Sequence, residues 1–487
     1  MKRNTLYKSA LTFGIAFLSF GCSKIADINV SPNNPSVDAA TPQILFPSAV
    51  LSAAGRIGGE LNILGGVWSQ YWTQSNSSAQ YRSIDSYNLI RTDLNANYSE
   101  LFAGSLSDLQ LAITQAKAAN NNQYYLMCTV MKAVVYETLV DLYDQVPYTE
   151  AFKGIENIQP KFDDGYSIYK GLLAEIDAAL ATNYNGKLVG SAATADLVLG
   201  GDMDKWRQFA NTLELRMYLR MINAKPAEAQ AGYQKLVARK ADYLTVNAGV
   251  TQYTDATDKR NPFYTYNVFA LNSSTNLRAS TTLVSYLKTN GDPRIVPYFT
   301  SATTTSINQG DFNATPAARP EYSTANTPNQ DATDPVFFLT AAESYFLQAE
   351  ADLRFNGGVN TAALYNEGVN AAFEQVGAVR GNLYPFPTAG TTEQKIEAII
   401  VQKWASLPKT GHTLEGFFEQ ERTGYPRISP VYSTALAYVP GQWVYSATGV
   451  TTGKLFPKRL VFPDVERSRN NNTPAEVPIT TPVWWGK

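Results

Sequence analysis

The sequence predicts a mostly α-helical protein in which tetratricopeptide-like helix pairs form a scaffold beside a large, irregular, loop-rich half. Three observations lead to this prediction. Apolar residues recur every three or four positions in several segments, which is the spacing of a buried helix face. Capping sequences and glycine stops mark the ends of some of these segments. Long stretches rich in Thr, Asn, Ala and Pro lack any such period.

The predicted helices come in pairs along the chain. The pairs are residues 104–119 with 124–142, 166–182 with 204–222, and 341–355 with 361–376. Paired helices without a strict sequence repeat indicate a tetratricopeptide-like stack, although the tetratricopeptide consensus itself is absent. Capping boxes are predicted to open two helices, at Thr340–Glu343 and at Thr391–Gln394.

The N-terminus has the features of a bacterial lipoprotein signal. A positively charged head precedes a short apolar run at residues 10–20, and Gly21 and Cys22 follow directly. A helix that spans a bilayer needs about 20 apolar residues, so this run is too short. We therefore predict a signal peptide at 1–21 and a membrane anchor through lipid on Cys22. The two residues before Gly21 depart from the usual lipobox, which leaves an ordinary signal peptide as the alternative.

The remainder of the chain is predicted to form a leader and one domain. Residues 22–42 are polar with three prolines and are expected to be an extended, lipidated leader. Residues 43–487 form the domain, with loop-rich insertions at about 243–335 and 424–450. Long loops on a helical scaffold commonly carry a binding function.

The composition narrows the classes of partner. The net charge is −2 and basic residues do not cluster, which argues against nucleic acid, because such binding depends on neutralising phosphates. The 29 tyrosines outnumber the 22 phenylalanines, and Asn and Thr are plentiful, which favours polar, neutral ligands such as sugars or peptides. Besides Cys22 the chain has only Cys128, which we expect to be a buried thiol.

No catalytic or metal site is predicted. The only histidine, His412, lacks a neighbouring nucleophile motif, and a histidine-based zinc site needs several His or Cys ligands. We therefore assign His412 a structural role and expect no cofactor.

Two pairs of acidic residues raise the possibility of glycosidase chemistry. Glu343 is expected to cap its helix, and Glu350 is expected to contact a neighbouring helix. Asp141 and Asp144 are expected to end a helix and to form hydrogen bonds with the turn that follows it. A surface glycosidase stays open as an alternative function. It would need two exposed carboxylates about 5–9.5 Å apart across a cleft.

Two segments have the composition of a ligand-binding site. Sugar rings stack their CH faces on aromatic side chains, and their hydroxyls need amide, carboxylate or guanidinium partners. The residues that offer this mixture are Trp68, Trp72, Asn76 and Tyr81 in the first segment, and Asn261, Tyr264, Tyr266 and Arg278 in the second. Both tryptophans also share helical spacing with Ile57, Leu61 and Leu64, so they are alternatively core residues. Tyr81 lies beyond that helix and is expected to be exposed. For the second segment, loop packing is the alternative.

Several motifs spread over the chain carry a family resemblance. They are residues 27–35, 141–151, 205–216, 287–294, 339–350, 402–404 followed by 421–426, and 459–463 with Glu466. On these motifs and their order, the chain resembles the SusD/RagB family of nutrient-binding outer-membrane lipoproteins, specifically its SusD-like second subgroup. In one departure, the family's Tyr-Gly-Asp-Val-Pro turn reads Tyr-Asp-Gln-Val-Pro at 143–147.

The resemblance implies tetratricopeptide-like helix pairs that support an irregular ligand-binding half. It also implies a partner, a SusC-like TonB-dependent barrel over which the lipoprotein closes as a lid at the cell exterior. Family members bind glycans and some bind peptides, and no catalytic residues come with the family. Because the family's ligand residues lie in variable loops, none transfers to a position of this sequence. A structural helix-repeat scaffold remains a further alternative.

Overall fold

The computed structural model describes residues 40–301 and 305–486 and is mostly helical. The first half contains α1 (Pro42–Ile57), α2 (Glu60–Trp68), α3 (Arg82–Asp85), α4 (Asn95–Glu100), α5 (Ser107–Ala118), α6 (Asn122–Tyr143), α7 (Gly165–Leu180), α8 (Ser191–Ala195), α9 (Met203–Arg220) and α10 (Pro226–Ala238). The second half contains α11 (Pro262–Tyr264), α12 (Thr281–Thr289), α13 (Ile295–Tyr298), α14 (Ala341–Phe355), α15 (Thr361–Glu374), α16 (Thr392–Ala405), α17 (Leu414–Thr423) and α18 (Asp464–Arg469).

The strands are short and form two-stranded antiparallel sheets. They are β1 (Trp72–Gln74), β2 (Gln145–Val146), β3 (Asp163–Asp164), β4 (Ala248–Val250), β5 (Leu277–Ala279) and β6 (Val336–Leu339). The pairs are β1 with β5, β2 with β3, and β4 with β6. In two of these sheets the strands come from distant parts of the chain, so the sheets tie segments of the loop-rich half to one another.

The helix pairs match the sequence prediction closely. The six predicted helices correspond to α5, α6, α7, α9, α14 and α15, with ends that differ by at most a few residues. α5 packs against α6, α14 packs against α15, and α7 packs against both α6 and α9. Nearly all of α6, from Tyr124 to Tyr143, is buried, which places this apolar helix at the centre of the scaffold. The predicted mostly α-helical fold is confirmed.

Of the two predicted loop-rich regions, the second is irregular, whereas 243–335 is irregular only after about residue 300, because β4, β5, α11, α12 and α13 lie before it. Residues 424–450 contain neither helix nor strand. In the described part of 300–335, only a single short 3₁₀ turn is present, at Pro320–Thr324. Within the part of the chain that the structure describes, no helix is long and apolar enough to cross a bilayer. The proposed signal peptide, Cys22 and almost all of the leader lie outside the described residues.

Side-chain caps fix the ends of several helices. Thr391 accepts a hydrogen bond from the Gln394 amide, and the Gln394 side chain accepts one from the Thr391 amide, so the predicted capping box is confirmed. Thr340 caps α14 by accepting from the Glu343 amide at 3.1 Å. The predicted capping role of the Glu343 side chain is wrong, because its carboxylate forms ion pairs with Arg216 and Lys403 instead.

Those contacts belong to a network of charged side chains at the centre of the fold. Its members come from α6, α9, α14, α16 and α17, and each has at most 3% of its side chain exposed. We call it the buried ion network. The bases are Arg216, Arg220, Lys403 and Arg422, and the acids are Glu137, Asp141, Glu343, Glu350, Glu415 and Glu419.

Each base in the buried ion network joins at least two elements. Arg220 on α9 lies 3.2 Å from Asp141 on α6 and 2.6 Å from Glu415 on α17. Burial raises the pKa of Asp141, although Arg220 opposes the shift. Asp141 lies within α6 and does not end that helix, which corrects its predicted role, whereas Asp144 does end α6 and accepts from the Trp484 amide.

Removing one base from the buried ion network tests its contribution to stability. In Lys403→Met, Glu415 and Glu419 lose a cation that lies 2.7 and 3.1 Å away. Because uncompensated buried charge is costly, we expect the free energy of unfolding to fall by about 3–5 kcal/mol. Urea unfolding of the protein beginning at residue 23 measures this change.

Lys409→Met is the matched control, because Lys409 forms a single ion pair with Asp334 in which both side chains remain partly exposed. We expect it to cost about 1 kcal/mol or less. Equal losses in the two variants would contradict a special role for the buried ion network.

Candidate ligand-binding surface

The two candidate segments of the sequence meet in the structure. Strand β1 of the first segment pairs with β5 of the second, with Trp72 opposite Ala279 and Thr73 opposite Arg278. Gln74 Nε2 also donates to the Asn276 carbonyl, 202 positions further along the chain. The sequence singled out both segments but gave no indication that they are neighbours.

Both tryptophans of the first segment are core residues. Trp68 is 2% exposed and Trp72 is 1% exposed. The Trp68 indole N–H donates to the Ile84 carbonyl at 3.1 Å, and the Trp72 ring stacks on Phe263 with centroids 4.6 Å apart. The helical spacing therefore reflects packing, and neither ring is available to a ligand in this structure.

The expectation that Tyr81 is exposed is wrong. Tyr81 is 6% exposed, and its amide donates to Gln74 Oε1 at 2.6 Å. Burial raises the pKa of its hydroxyl. The chain turns back directly after β1, so Tyr81 packs inward at the start of α3, and this turn is not evident from the helical period.

In the second segment, loop packing accounts for much of the polar chemistry. Asn261 Oδ1 accepts from the Tyr264 amide at 3.0 Å and caps α11, while Asn261 Nδ2 donates to the Asp334 carbonyl at 2.9 Å. The Tyr266 hydroxyl accepts from Arg56 at 2.6 Å. Tyr264 and Tyr266 both keep part of their surface exposed.

Arg278 and Asn76 lie beside a third loop that the sequence did not connect with them. Arg278 is 9% exposed, and its guanidinium donates to the Ala325 carbonyl and lies 3.5 Å from the Ser75 hydroxyl. Asn76 is half-buried and donates to the Ala314 carbonyl at 3.3 Å. We use the name loop face for the surface formed by residues 75–82, 308–326 and 432–433.

The loop face exposes two further side chains that could contact a ligand. Arg82 is exposed, and its guanidinium lies 5.3 Å from the ring centre of Phe312. Tyr432 is half-buried, and its hydroxyl donates to the Gln309 carbonyl at 2.7 Å. The loop-rich composition of 300–335 and 424–450 indicated these regions, but nothing local in the sequence singles out Phe312 or Tyr432.

A buried carboxylate holds the loops of this face together. Asp85 accepts hydrogen bonds from Thr73 Oγ1 at 2.6 Å, from the Gln74 amide at 2.7 Å and from Gln309 Nε2 at 2.7 Å. Burial raises the pKa of Asp85 to about 6, and these donors oppose the shift. Through these three hydrogen bonds Asp85 holds the 308–312 loop against β1.

The loop face carries two arginines, Arg82 and Arg319, and two acids, Asp311 and Glu321, so its formal charges balance. Within the described ranges 40–301 and 305–486, neither Arg82 nor Arg278 has a carboxylate within ion-pair distance. Arg319 lies 3.9 Å from Asp311 and 3.8 Å from Glu321, which are long contacts. Guanidinium, amide and phenol groups on one surface can donate hydrogen bonds to hydroxyl or carboxylate oxygens of a ligand.

The acids proposed for glycosidase chemistry are not placed for it. Glu343 and Glu350 are each about 1% exposed, and Glu350 pairs with Arg422 at 2.6 Å as part of the buried ion network. The expected contact of Glu350 with a neighbouring helix is thus confirmed. Asp141 lies in the same network and cannot flank a substrate.

The sole histidine and the free thiol are also inward-facing. His412 Nδ1 lies 3.2 Å from the Phe338 carbonyl, and burial lowers the pKa of the imidazole, which is neutral at pH 7 as a result. Cys128 is fully buried, as the sequence predicts, and burial raises the pKa of its thiol. Among the described residues, no group of three or more His, Cys, Asp or Glu side chains could hold a metal ion.

The fold and the surface together define a class of protein, in which a helical-repeat scaffold holds a loop-built surface with donors for a polar ligand. Comparison with family models matches residues 32–445 to the SusD-like second family, described as starch-binding and associating with the outer membrane. The chain therefore belongs to this SusD-like family, and the resemblance noted in the sequence is confirmed. It is a family of binding proteins rather than of enzymes. Comparison with curated proteins gives no match.

Solved structures show the same fold. A SusD homolog from Bacteroides uniformis superposes with a TM-score of 0.73 at 22% identity, over 91% of this chain and 99% of that one. A SusD-like protein from Bacteroides thetaiotaomicron gives 0.71 at 20% identity, over 90% and 98%. A chitin-binding SusD homolog from Flavobacterium johnsoniae gives 0.70 at 21% identity, over 90% and 98%.

The rigidity of the loop face can be tested at Gly310, which precedes Asp311 in the 308–312 loop. Gly310 has a φ of +75°, and a Cβ there would lie 1.9 Å from Ser446 Oγ. Gly291 has a similar φ of +61° but nothing within 4 Å, so it isolates the backbone effect. We expect Gly291→Ala to cost about 1–2 kcal/mol and Gly310→Ala to cost at least about 1 kcal/mol more. Urea unfolding compares them, and equal losses would show that the loop is not held in place.

Proposed function

We propose that this protein captures oligosaccharides on the loop face and passes them to a SusC-like TonB-dependent transporter of the outer membrane. The observation that carries the proposal is the convergence of Arg82, Asn76 and Tyr432 around one loop that Asp85 holds in place. Such a surface is already organised before a ligand arrives, which reduces the entropic cost of binding.

The chemistry of the loop face suits a sugar. The amide of Asn76 and the guanidinium of Arg82 can donate to ring hydroxyls, and the half-exposed ring of Tyr432 offers an apolar face to a sugar CH surface. An aromatic contact contributes about 0.5–1.5 kcal/mol, which is compatible with release to a transporter. The family description, and the chitin-binding relative, support a glycan ligand.

The predicted lipid anchor supports the second half of the proposal. Lipidation of Cys22 would tether the protein to the outer membrane at the cell exterior, beside a membrane-embedded partner. Two or more acyl chains make such an anchor stable, whereas a single chain gives only reversible binding. A tethered protein can open and close over a barrel without diffusing away.

Substitutions on the loop face test ligand binding. We expect Arg82→Ala to weaken oligosaccharide binding about tenfold or more, because it removes a charged donor, and Asn76→Ala to weaken it about threefold to tenfold. Calorimetric titration with maltoheptaose and chitohexaose measures both, using protein that begins at residue 23. Arg91→Ala is the control, since Arg91 is similarly exposed but pairs with Glu476 away from the loop face.

Three outcomes of this titration would refute the proposal. One is unchanged affinity in both loop-face variants. Another is failure of both oligosaccharides to bind when a peptide titrated in parallel does bind, which would identify the ligand as a peptide instead. The last is the appearance of shortened sugars after incubation, which would indicate hydrolysis and favour the glycosidase alternative.

Replacing the proposed anchor tests the location and the partner. We expect Cys22→Ala to move the protein from the membrane pellet to the soluble fraction, while Cys128→Ala leaves it in the pellet. In mild detergent extracts, the wild-type protein should co-purify with a TonB-dependent barrel, identified by mass spectrometry. Retention of Cys22→Ala in the pellet would contradict the lipid anchor, and absence of any barrel would contradict the transporter partner.

A further inference from the structure

A cavity lies between α12, α16 and the segments 384–387 and 439–442. We call it the tyrosine cleft. Its volume is about 450 Å³, within the about 300–1,000 Å³ that is usual for small-molecule sites. None of the residues that line it belongs to the loop face. Nothing in the proposed function accounts for it.

The tyrosine cleft contains aromatic rings whose positions are fixed. Tyr286 and Tyr384 stack nearly parallel, with ring centres 5.8 Å apart and planes 9° apart. Gln402 Nε2 donates to the Tyr286 hydroxyl at 2.6 Å, and the Tyr384 hydroxyl donates to Asp292 at 2.8 Å. Because both hydroxyls are already bonded, these tyrosines can offer a ligand mainly the apolar surface of their rings.

The charged groups around the tyrosine cleft are neutralised in pairs. Arg427 at its edge makes two hydrogen bonds of 2.6 Å to Glu397. Behind the rings, the buried Arg294 pairs with Asp292 at 2.7 Å. A charged ligand would have to compete with these pairs, so the cleft favours an uncharged ligand. The loop face differs in that its Arg82 has no carboxylate partner in the described ranges.

Two amide side chains remain available in the cleft. Gln394 uses its oxygen in the capping box of α16, but its Nε2 has no hydrogen-bond partner among residues 40–301 and 305–486. The side-chain amide of Gln442 has none in the same ranges. These amides can bond hydroxyls, while four prolines supply apolar walls, at positions 385, 387, 426 and 440.

We propose that the tyrosine cleft is a second binding site, specific for an uncharged sugar unit. A neutral sugar ring combines an apolar CH face with a rim of hydroxyls, and the cleft combines aromatic and proline surfaces with unpaired amides. The proposal holds independently of whether the loop face binds glycans.

The test uses protein that begins at residue 23 and carries Asn76→Ala and Arg82→Ala, so that binding at the loop face is weakened. Calorimetric titration with maltoheptaose, chitohexaose and an oligogalacturonide measures the remaining binding. We expect one of the neutral oligosaccharides to bind and the anionic oligogalacturonide to bind at least tenfold more weakly. Failure of both neutral probes to bind, or stronger binding of the oligogalacturonide, would overturn the proposal.

Two further substitutions locate the binding in the tyrosine cleft. Val439 is 52% exposed at the cleft wall, so Val439→Glu introduces a charge there without disturbing the core, and we expect binding to be lost. Gln442→Ala should weaken binding about threefold to tenfold. Val450→Glu is the matched control, since Val450 is 60% exposed outside the cleft. Unchanged binding in both cleft variants, or an equal loss in Val450→Glu, would overturn the proposal.

The same titrations distinguish a failure of the loop-face proposal from a failure of the tyrosine-cleft proposal. If only the loop face were wrong, Asn76→Ala and Arg82→Ala would leave all binding intact, and Val439→Glu would abolish it. If only the tyrosine cleft were wrong, the double substitution would weaken binding of the neutral oligosaccharides at least tenfold, and Val439→Glu would leave their affinity unchanged.

Discussion

The buried ion network is the constraint on which the rest of the structure depends. Helices α6, α9, α14, α16 and α17 meet through charges that have almost no contact with solvent. Buried charges are stable only when each is paired in good geometry, so displacing any one of these helices leaves an unpaired charge. The network thus specifies a single arrangement of the scaffold helices. Because the loops begin and end at these helices, the positions of the loop ends are fixed as well.

Local signals explain how much of the fold the sequence could predict. Helix periodicity and capping depend on residues three or four positions apart, and both placed α14 and the capping box at Thr391 correctly. The ion partners of Glu343 could not be predicted this way, because Arg216 lies 127 positions away. Glu343 occupies the third position of a helix, where a capping role is the simplest local explanation. In the folded protein its carboxylate instead pairs with Arg216 and Lys403, which are distant in sequence.

The candidate ligand-binding surface was predictable only in outline. Composition drew attention to the two segments that pair as β1 and β5, and to the loops at 300–335. It could not separate packing from binding, because a tryptophan beside amides has the same sequence signature in a core and on a surface. In the structure Trp72 and Tyr81 are buried, whereas Arg82, next to Tyr81, is exposed. The tyrosine cleft had no sequence signal, since its walls come from segments that are far apart in the chain, between Tyr286 and Gln442.

The pairing of β1 with β5 also bears on when the loop face is completed during folding. Helices α5 to α10 intervene between these two strands, so neither the first nor the second half of the chain contains the whole loop face. Contacts between such distant segments form late, since a long loop must close first. A chain of which only the first half has been synthesised therefore lacks part of the loop face. Completion of that surface depends on the whole scaffold between the two strands.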